Sequence, residues 1–169
     1  MVIDYPSLYT KVYKRPALCA SLRAVSLVAV VASVASVFLS ITLAALGSGV
    51  IYALRLASAM LVPFVLVSLF RRVVNLKRPC EVFDLEAFGV DTAGFKTGRS
   101  FPSRHVFSGF LIATTLFPTL PVLGAVLLLL TTALGAARVL LGIHFLRDCV
   151  AGALLGTLSA IIGLLIFGI

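Results

Sequence analysis

Between Ala24 and Leu46 the chain runs for 23 residues without one charged side chain. A bilayer's hydrocarbon core takes about 20 apolar residues of helix to cross, so this run alone points to a membrane. A second run, Val50 to Phe70, is interrupted only by Arg55, which lies near one end and can carry its charge to the interface. Gly47-Ser48-Gly49 between the two reads as a turn. The last run, Val150 to Ile169, holds 20 uncharged residues. The middle run, Val106 to Ala137, has 32 residues, about 48 Å of helix and too long for one crossing. Pro118-Thr119-Leu120-Pro121 divides it, because proline removes a donor and clashes with the preceding turn. The result is a helical hairpin with short arms, each borrowing polar residues beyond its charged end.

The expected fold class is all-α, a polytopic membrane helical bundle. It has about five transmembrane helices, over residues 24–46, 50–70, 103–117, 121–138 and 149–169, in one domain covering 1–169. Residues 1–23 form a basic tail carrying Lys11, Lys14, Arg15 and Arg23, and Pro6 and Pro16 bracket a stretch expected to lie along the interface. No signal peptide is read there: the first apolar run exceeds the roughly 7–15 residues of such a segment, and no A-x-A site follows it. Residues 71–102 form the one sizeable polar loop.

Composition agrees. The chain is 61% hydrophobic and 12% charged, against about 25% charged in soluble domains, which excludes a disordered chain or a coiled coil. The net charge of +8 comes from basic residues that flank apolar runs, so lipid headgroups or phosphate, not nucleic acid, are the expected partners. Cys19, Cys80 and Cys149 have no CxxC spacing and suggest neither a disulfide framework nor a zinc site.

The segment Arg71 to Arg104 carries seven of the 14 basic residues and four of the six acids. Within it, Glu81 to Gly89 would place Val82, Leu85 and Phe88 on one helical face with the acids elsewhere. This suits a surface helix on the bilayer, or a lid over a lipid headgroup. Glu81, Asp84, Glu86 and Asp91 follow no metal-ligand spacing, and no metal or cofactor is expected.

The chain has two histidines, His105 and His144, and outside the polar loop and Asp4 its one acid is Asp148. Two crossings separate the histidines, so both return to one side of the membrane. Asp148 lies four residues after His144, a spacing that puts both on one helical face. A carboxylate beside an imidazole fixes its tautomer and leaves the other ring nitrogen free to attack or accept a proton. Arg71, Arg78, Arg104 and Arg138 lie nearby in the topology, and guanidinium forks match phosphate oxygens. Ser103 adds a hydroxyl, and the helix beginning near Pro102 adds N–H donors for an anion. Together these groups suit phosphoryl transfer: one histidine attacks phosphorus, the other protonates the leaving oxygen, and the arginines hold charge.

Three blocks resemble the motifs of the type 2 phosphatidic acid phosphatases, the superfamily that includes vanadium haloperoxidases and glucose-6-phosphatase. Arg71, six residues and Arg78-Pro79 match the first, with Arg in place of the usual Lys. Pro102-Ser103-Arg104-His105 matches the second, with Arg104 in place of glycine, a form similar to bacterial members. Ala137-Arg138 followed by His144 and Asp148 matches the third, with Ala137 in place of serine. The match covers roughly Arg71 to Gly152. The resemblance implies His144 as the nucleophile that forms a phosphohistidine, Asp148 as its orienting partner and His105 as general acid. It implies Arg71, Arg78, Ser103 and Arg138 as the phosphate cradle, with Arg104 added as a further phosphate-binding residue. No substitution removes a nucleophilic or proton-transfer group, so an active enzyme is expected.

The implied activity is a metal-independent membrane lipid phosphatase. Its substrate would be a phosphomonoester or pyrophosphate lipid: undecaprenyl pyrophosphate, phosphatidylglycerophosphate, phosphatidic acid or lipid A phosphate. The alternatives are a lipid phosphotransferase, and a non-catalytic lipid-phosphate binding or transport protein on the same scaffold. Tail and site share a side that holds 13 of the 14 basic residues. The positive-inside rule then places the site in the cytoplasm, although many bacterial members of the resembled family work on the outer face.

Overall fold

A backbone in hydrocarbon must satisfy its own amides, and this chain does so as helix. The computed structural model describes residues 4–86 and 96–169, and among them all regular structure is helical. The helices are α1 (Tyr5–Tyr13), α2 (Pro16–Gly47), α3 (Val50–Val74), α4 (Pro79–Val82), α5 (Arg104–Leu116), α6 (Pro121–Leu140) and α7 (Leu146–Phe167). Four of them, α2, α3, α6 and α7, are long and apolar enough to cross a membrane. The fifth expected crossing, α5, has only 13 residues, about 20 Å of helix. It is the central element, packed chiefly against α7 and α6 and also against α2 and α3.

Burial is the reverse of a soluble protein's. Phe38, Leu46 and Leu165 are 69%, 81% and 78% exposed, whereas the buried side of α2 carries Ser26, Ala29, Ser33, Ser36, Ser40 and Ala44. Lipid tails are as apolar as leucine, so large side chains gain nothing by turning inward, and small ones let helices approach. The serine hydroxyls stay satisfied by bonding back to their own helix, as Ser33 Oγ does to the Ala29 carbonyl at 2.8 Å.

Contact between α5 and α7 is backbone against backbone. A Cβ built on Gly152 would lie 2.8 Å from the Ser103 carbonyl oxygen and 3.2 Å from the Phe107 nitrogen, and one on Gly156 would collide with the Phe107 carbonyl. The Ser103 N–H also donates to the Asp148 carbonyl at 2.8 Å. These two helices bring His105 and Asp148 to the site, and at Gly152 and Gly156 the backbones meet without room for a methyl.

The loop readings need correcting. Helix α4 is a single turn, Pro79–Val82, and Val82 is 54% exposed while Leu85 is buried against Tyr9. Val82 and Leu85 therefore share no face: the chain leaves α4 at Phe83 in extended conformation. Ala87, Phe88, Gly89 and Asp91 lie outside the described residues. The N-terminal segment is helical in part. In α1, Asp4 caps the first turn by accepting from the Ser7 N–H at 3.3 Å, and Tyr9 and Val12 are buried. α1 packs over the turn between α6 and α7. The Tyr13 hydroxyl donates to the Leu141 carbonyl at 3.1 Å, the Tyr5 hydroxyl accepts from the Leu146 N–H at 3.2 Å, and the Tyr9 ring lies 3.5 Å from the Cβ position of Gly142.

Candidate active site

The segment linking α6 to α7 has to reverse direction in five residues while both helix ends keep their bonds. Gly142 takes a positive φ of 68°, the left-handed conformation glycine adopts without strain. The Ile143 and His144 N–H groups then both reach the Arg138 carbonyl, at 3.0 and 3.2 Å. At the start of α7, Asp148 folds back so that Oδ2 accepts the Phe145 N–H at 3.1 Å, satisfying a donor the helix leaves open and placing negative charge at its positive end.

His144 consequently precedes α7 and does not share a helical face with Asp148. The two meet because the carboxylate turns back toward the helix start: His144 Nδ1 lies 3.6 Å from Asp148 Oδ2. Ser100 stands between them. Its hydroxyl donates to Asp148 Oδ2 at 2.5 Å and lies 3.3 Å from His144 Nδ1. All three side chains are almost completely buried.

In front of this group lies a cavity of about 310 Å³, lined by Arg71, Arg78, Arg104, Arg138, His105 and His144, with Lys96, Cys80 and Ile143 completing the wall. Arg71 comes from the last turn of α3 and is braced by the Ser100 carbonyl at 3.2 Å and by the Arg99 carbonyl. Arg78 Nε donates to the Gly98 carbonyl at 2.9 Å and Nη1 to the Ile143 carbonyl at 3.3 Å. Glu81 ties the same strip together, accepting from the N–H groups of Arg78 and Gly98 at 2.8 and 2.6 Å. The guanidinium forks are thus fixed before any anion arrives, which lowers the entropy lost on binding. Arg104, at the first position of α5, lines the cavity with its guanidinium 5.8 Å from the Phe64 ring centroid.

Of the residues singled out in the sequence, six line this one cavity. Asp148 stands behind His144, not on the wall. Ser103 is fully buried at the start of α5 and does not stand on the cavity wall. The residues that sequence reasoning passed over are Ser100, Lys96, Cys80 and Ile143. An isolated serine two positions before a proline carries no periodic or spacing signal.

Charge in the pocket acts on the His144 ring. Burial, reinforced by the charges of Arg78 and Arg71, pulls the His144 imidazole below its ordinary value, against the opposing effect of Asp148. The shift favours the neutral ring, the form that keeps a lone pair on one nitrogen. Burial also lowers the Arg78 guanidinium, with Glu81 and Asp148 among the groups opposing the shift.

A second space opens beside the first. A cavity of about 370 Å³ runs between α2, α3 and α5, with Val34, Ile41, Met60, Phe64 and Leu111 in its wall, and His105 lines it too. Imidazole is thus the boundary between a cationic chamber and an apolar groove.

The family model of the PAP2 superfamily matches residues 48–168. Among solved structures, the crystal structure of Aquifex aeolicus LpxE is similar at 24% identity with a TM-score of 0.66, covering 94% of this chain and 93% of that one. No curated protein matches the chain.

Proposed function

The chain belongs to the PAP2 superfamily, and on that premise we propose that it is a lipid phosphatase working through a phosphohistidine on His144. The observation that carries the reading is the shared position of His105, which lines both the arginine chamber and the apolar groove. A phosphate in the chamber and a hydrocarbon chain in the groove would meet at this ring, and the bond joining them is the one to be broken. The chain's membrane-crossing helices keep that lipid in its bilayer.

His144 Nε2 attacks phosphorus, the ester P–O bond breaks, and His105 gives its proton to the leaving oxygen. Water then attacks phosphorus as His105 takes its proton, the P–N bond breaks with its electron pair returning to His144 Nε2, and inorganic phosphate leaves. Arg71, Arg78, Arg104 and Arg138 hold the equatorial oxygens through both steps. Ser103, fully buried at the start of α5 and next to the wall residue Arg104, is read as a further phosphate contact on the strength of the second motif it belongs to. Asp148 keeps the His144 ring in place.

The chamber's charge comes from five Lys and Arg side chains, and no carboxylate is among the described residues of its wall, a donor set suited to an anion and unsuited to magnesium. We therefore read the reaction as metal-independent. The candidate substrates are undecaprenyl pyrophosphate, phosphatidylglycerophosphate, phosphatidic acid and lipid A phosphate. The basic tail, which has no catalytic reason for its four cations, supports a cytoplasmic site.

Purified protein in detergent, given this panel of lipid phosphates in excess EDTA, should release inorganic phosphate from at least one. Release from none, with or without magnesium, would overturn the lipid-phosphatase reading. Strict dependence on added magnesium would overturn the metal-independent one.

A further inference from the structure

We propose that Ser100 is a positioning residue: its hydroxyl, seated between Asp148 and His144, holds the His144 ring together with the carboxylate. The proposal rests on the phosphatase reading for its kinetic consequence, while its geometry stands alone.

The argument is one of donors. The carboxylate oxygen lies 3.6 Å from the imidazole nitrogen, a long contact that holds the ring only loosely by itself. Ser100 Oγ is within range of both. A serine hydroxyl has one hydrogen. Ionised Asp148 only accepts, so at 2.5 Å that hydrogen points to Oδ2, a short charge-assisted bond. Toward His144, Oγ can then only accept, and Nδ1 must be the donor. The neutral ring is held as the Nδ1–H tautomer, and the Nε2 lone pair is free for phosphorus. Any other tautomer leaves two lone pairs facing each other in a place that water does not reach.

The serine is itself clamped. Its N–H donates to the Leu76 carbonyl at 2.9 Å, and its carbonyl accepts from Arg71 Nη1 at 3.2 Å. One residue therefore fixes an arm of the phosphate cradle through its backbone and the nucleophile through its side chain. Removing the hydroxyl leaves the first function intact and deletes the second, which makes Ser100→Ala a selective test.

Three readouts decide it. In Ser100→Ala, kcat on the best lipid of the panel should fall about 10–100-fold, the range for a displaced reacting group, while KM stays within about twofold. Ser100→Thr, which keeps the hydroxyl, should retain most of kcat. The ¹⁵N spectrum of His144 in the detergent-solubilised protein should show a single Nδ1–H tautomer in the wild type and a mixture in Ser100→Ala. Wild-type kcat together with an unchanged tautomer in Ser100→Ala would overturn the proposal, because Asp148 would then be holding the ring without the serine. If the wild type releases no lipid phosphate, the functional reading fails. The tautomer comparison still decides the role of Ser100, as it does if the threonine variant does not fold.

Discussion

Gly152→Ala should loosen the α5–α7 seam and slow the enzyme together. The added methyl would sit 2.8 Å from the Ser103 carbonyl oxygen and 3.2 Å from the Phe107 nitrogen, and ordinary contact begins at 3.4 Å. Both obstacles are backbone, so no side chain can rotate away, and the helices must part by about 0.6 Å, the difference between 3.4 and 2.8 Å. Overpacking of this kind costs about 1–3 kcal/mol. The same displacement stretches the Ser103 N–H bond to the Asp148 carbonyl and moves His105 relative to His144. A misplacement of about 1 Å can cost about 10²-fold in rate, so roughly a tenfold loss in kcat is expected here. Gly135→Ala is the control, since a methyl there meets Val106 Cγ2 at 3.4 Å and Cys149 Cβ at 3.9 Å and fits. The assay is thermal unfolding in detergent alongside lipid-phosphate turnover for both variants. A Gly152→Ala protein as stable and fast as Gly135→Ala would refute the backbone-contact argument.

His144→Ala should lower turnover by at least about 10²-fold with the fold intact by circular dichroism, the scale for a positioned acid–base group; a smaller loss would remove His144 from the nucleophile's role. The depressed His144 value predicts a pH effect with a definite sign. The acid limb of kcat/KM assigned to this ring should lie below about 6.5, the ordinary histidine value, and move or vanish in variants that remove Arg78. The unfolded chain binds the proton more readily than the native one, so this group makes stability fall as pH drops through the ordinary value toward the depressed one, and thermal melts across that window should show it. A cysteine placed between Glu81 and Asp91 in a cysteine-free variant should resist an impermeant thiol reagent in whole cells and react after lysis; labelling of intact cells would put the site outside.

What could be read beforehand followed from chemistry that leaves a linear trace. Charge-free runs have to become helix in a bilayer, so the all-helical bundle was visible in Ala24–Leu46 and its counterparts. The motif residues around Arg71, His105 and His144 have fixed spacings, and six of the candidates line one cavity. What escaped depended on three dimensions. The spacing of His144 and Asp148 suggests one helical face, but α7 begins at Leu146, and the pair meets because Asp148 caps that helix. Ser100 reaches the pair from a loop 44 residues before His144 and 48 before Asp148, a closure no local pattern records. Leu85 looked like the companion of Val82 on a surface helix and is instead covered by Tyr9.

The two tyrosines of α1 that grip the α6–α7 turn do so across 128 and 141 residues of chain. In time as well as in sequence, the earliest described helix to leave the ribosome is the brace for a turn made near the end. Tyr13 finds its acceptor once α6 is in place, but until α7 has docked the Tyr5 hydroxyl lacks the Leu146 N–H and His144 lacks the Asp148 carboxylate. An intermediate with only its earlier helices inserted would present Arg71 and Arg78 without His144 held beside Asp148.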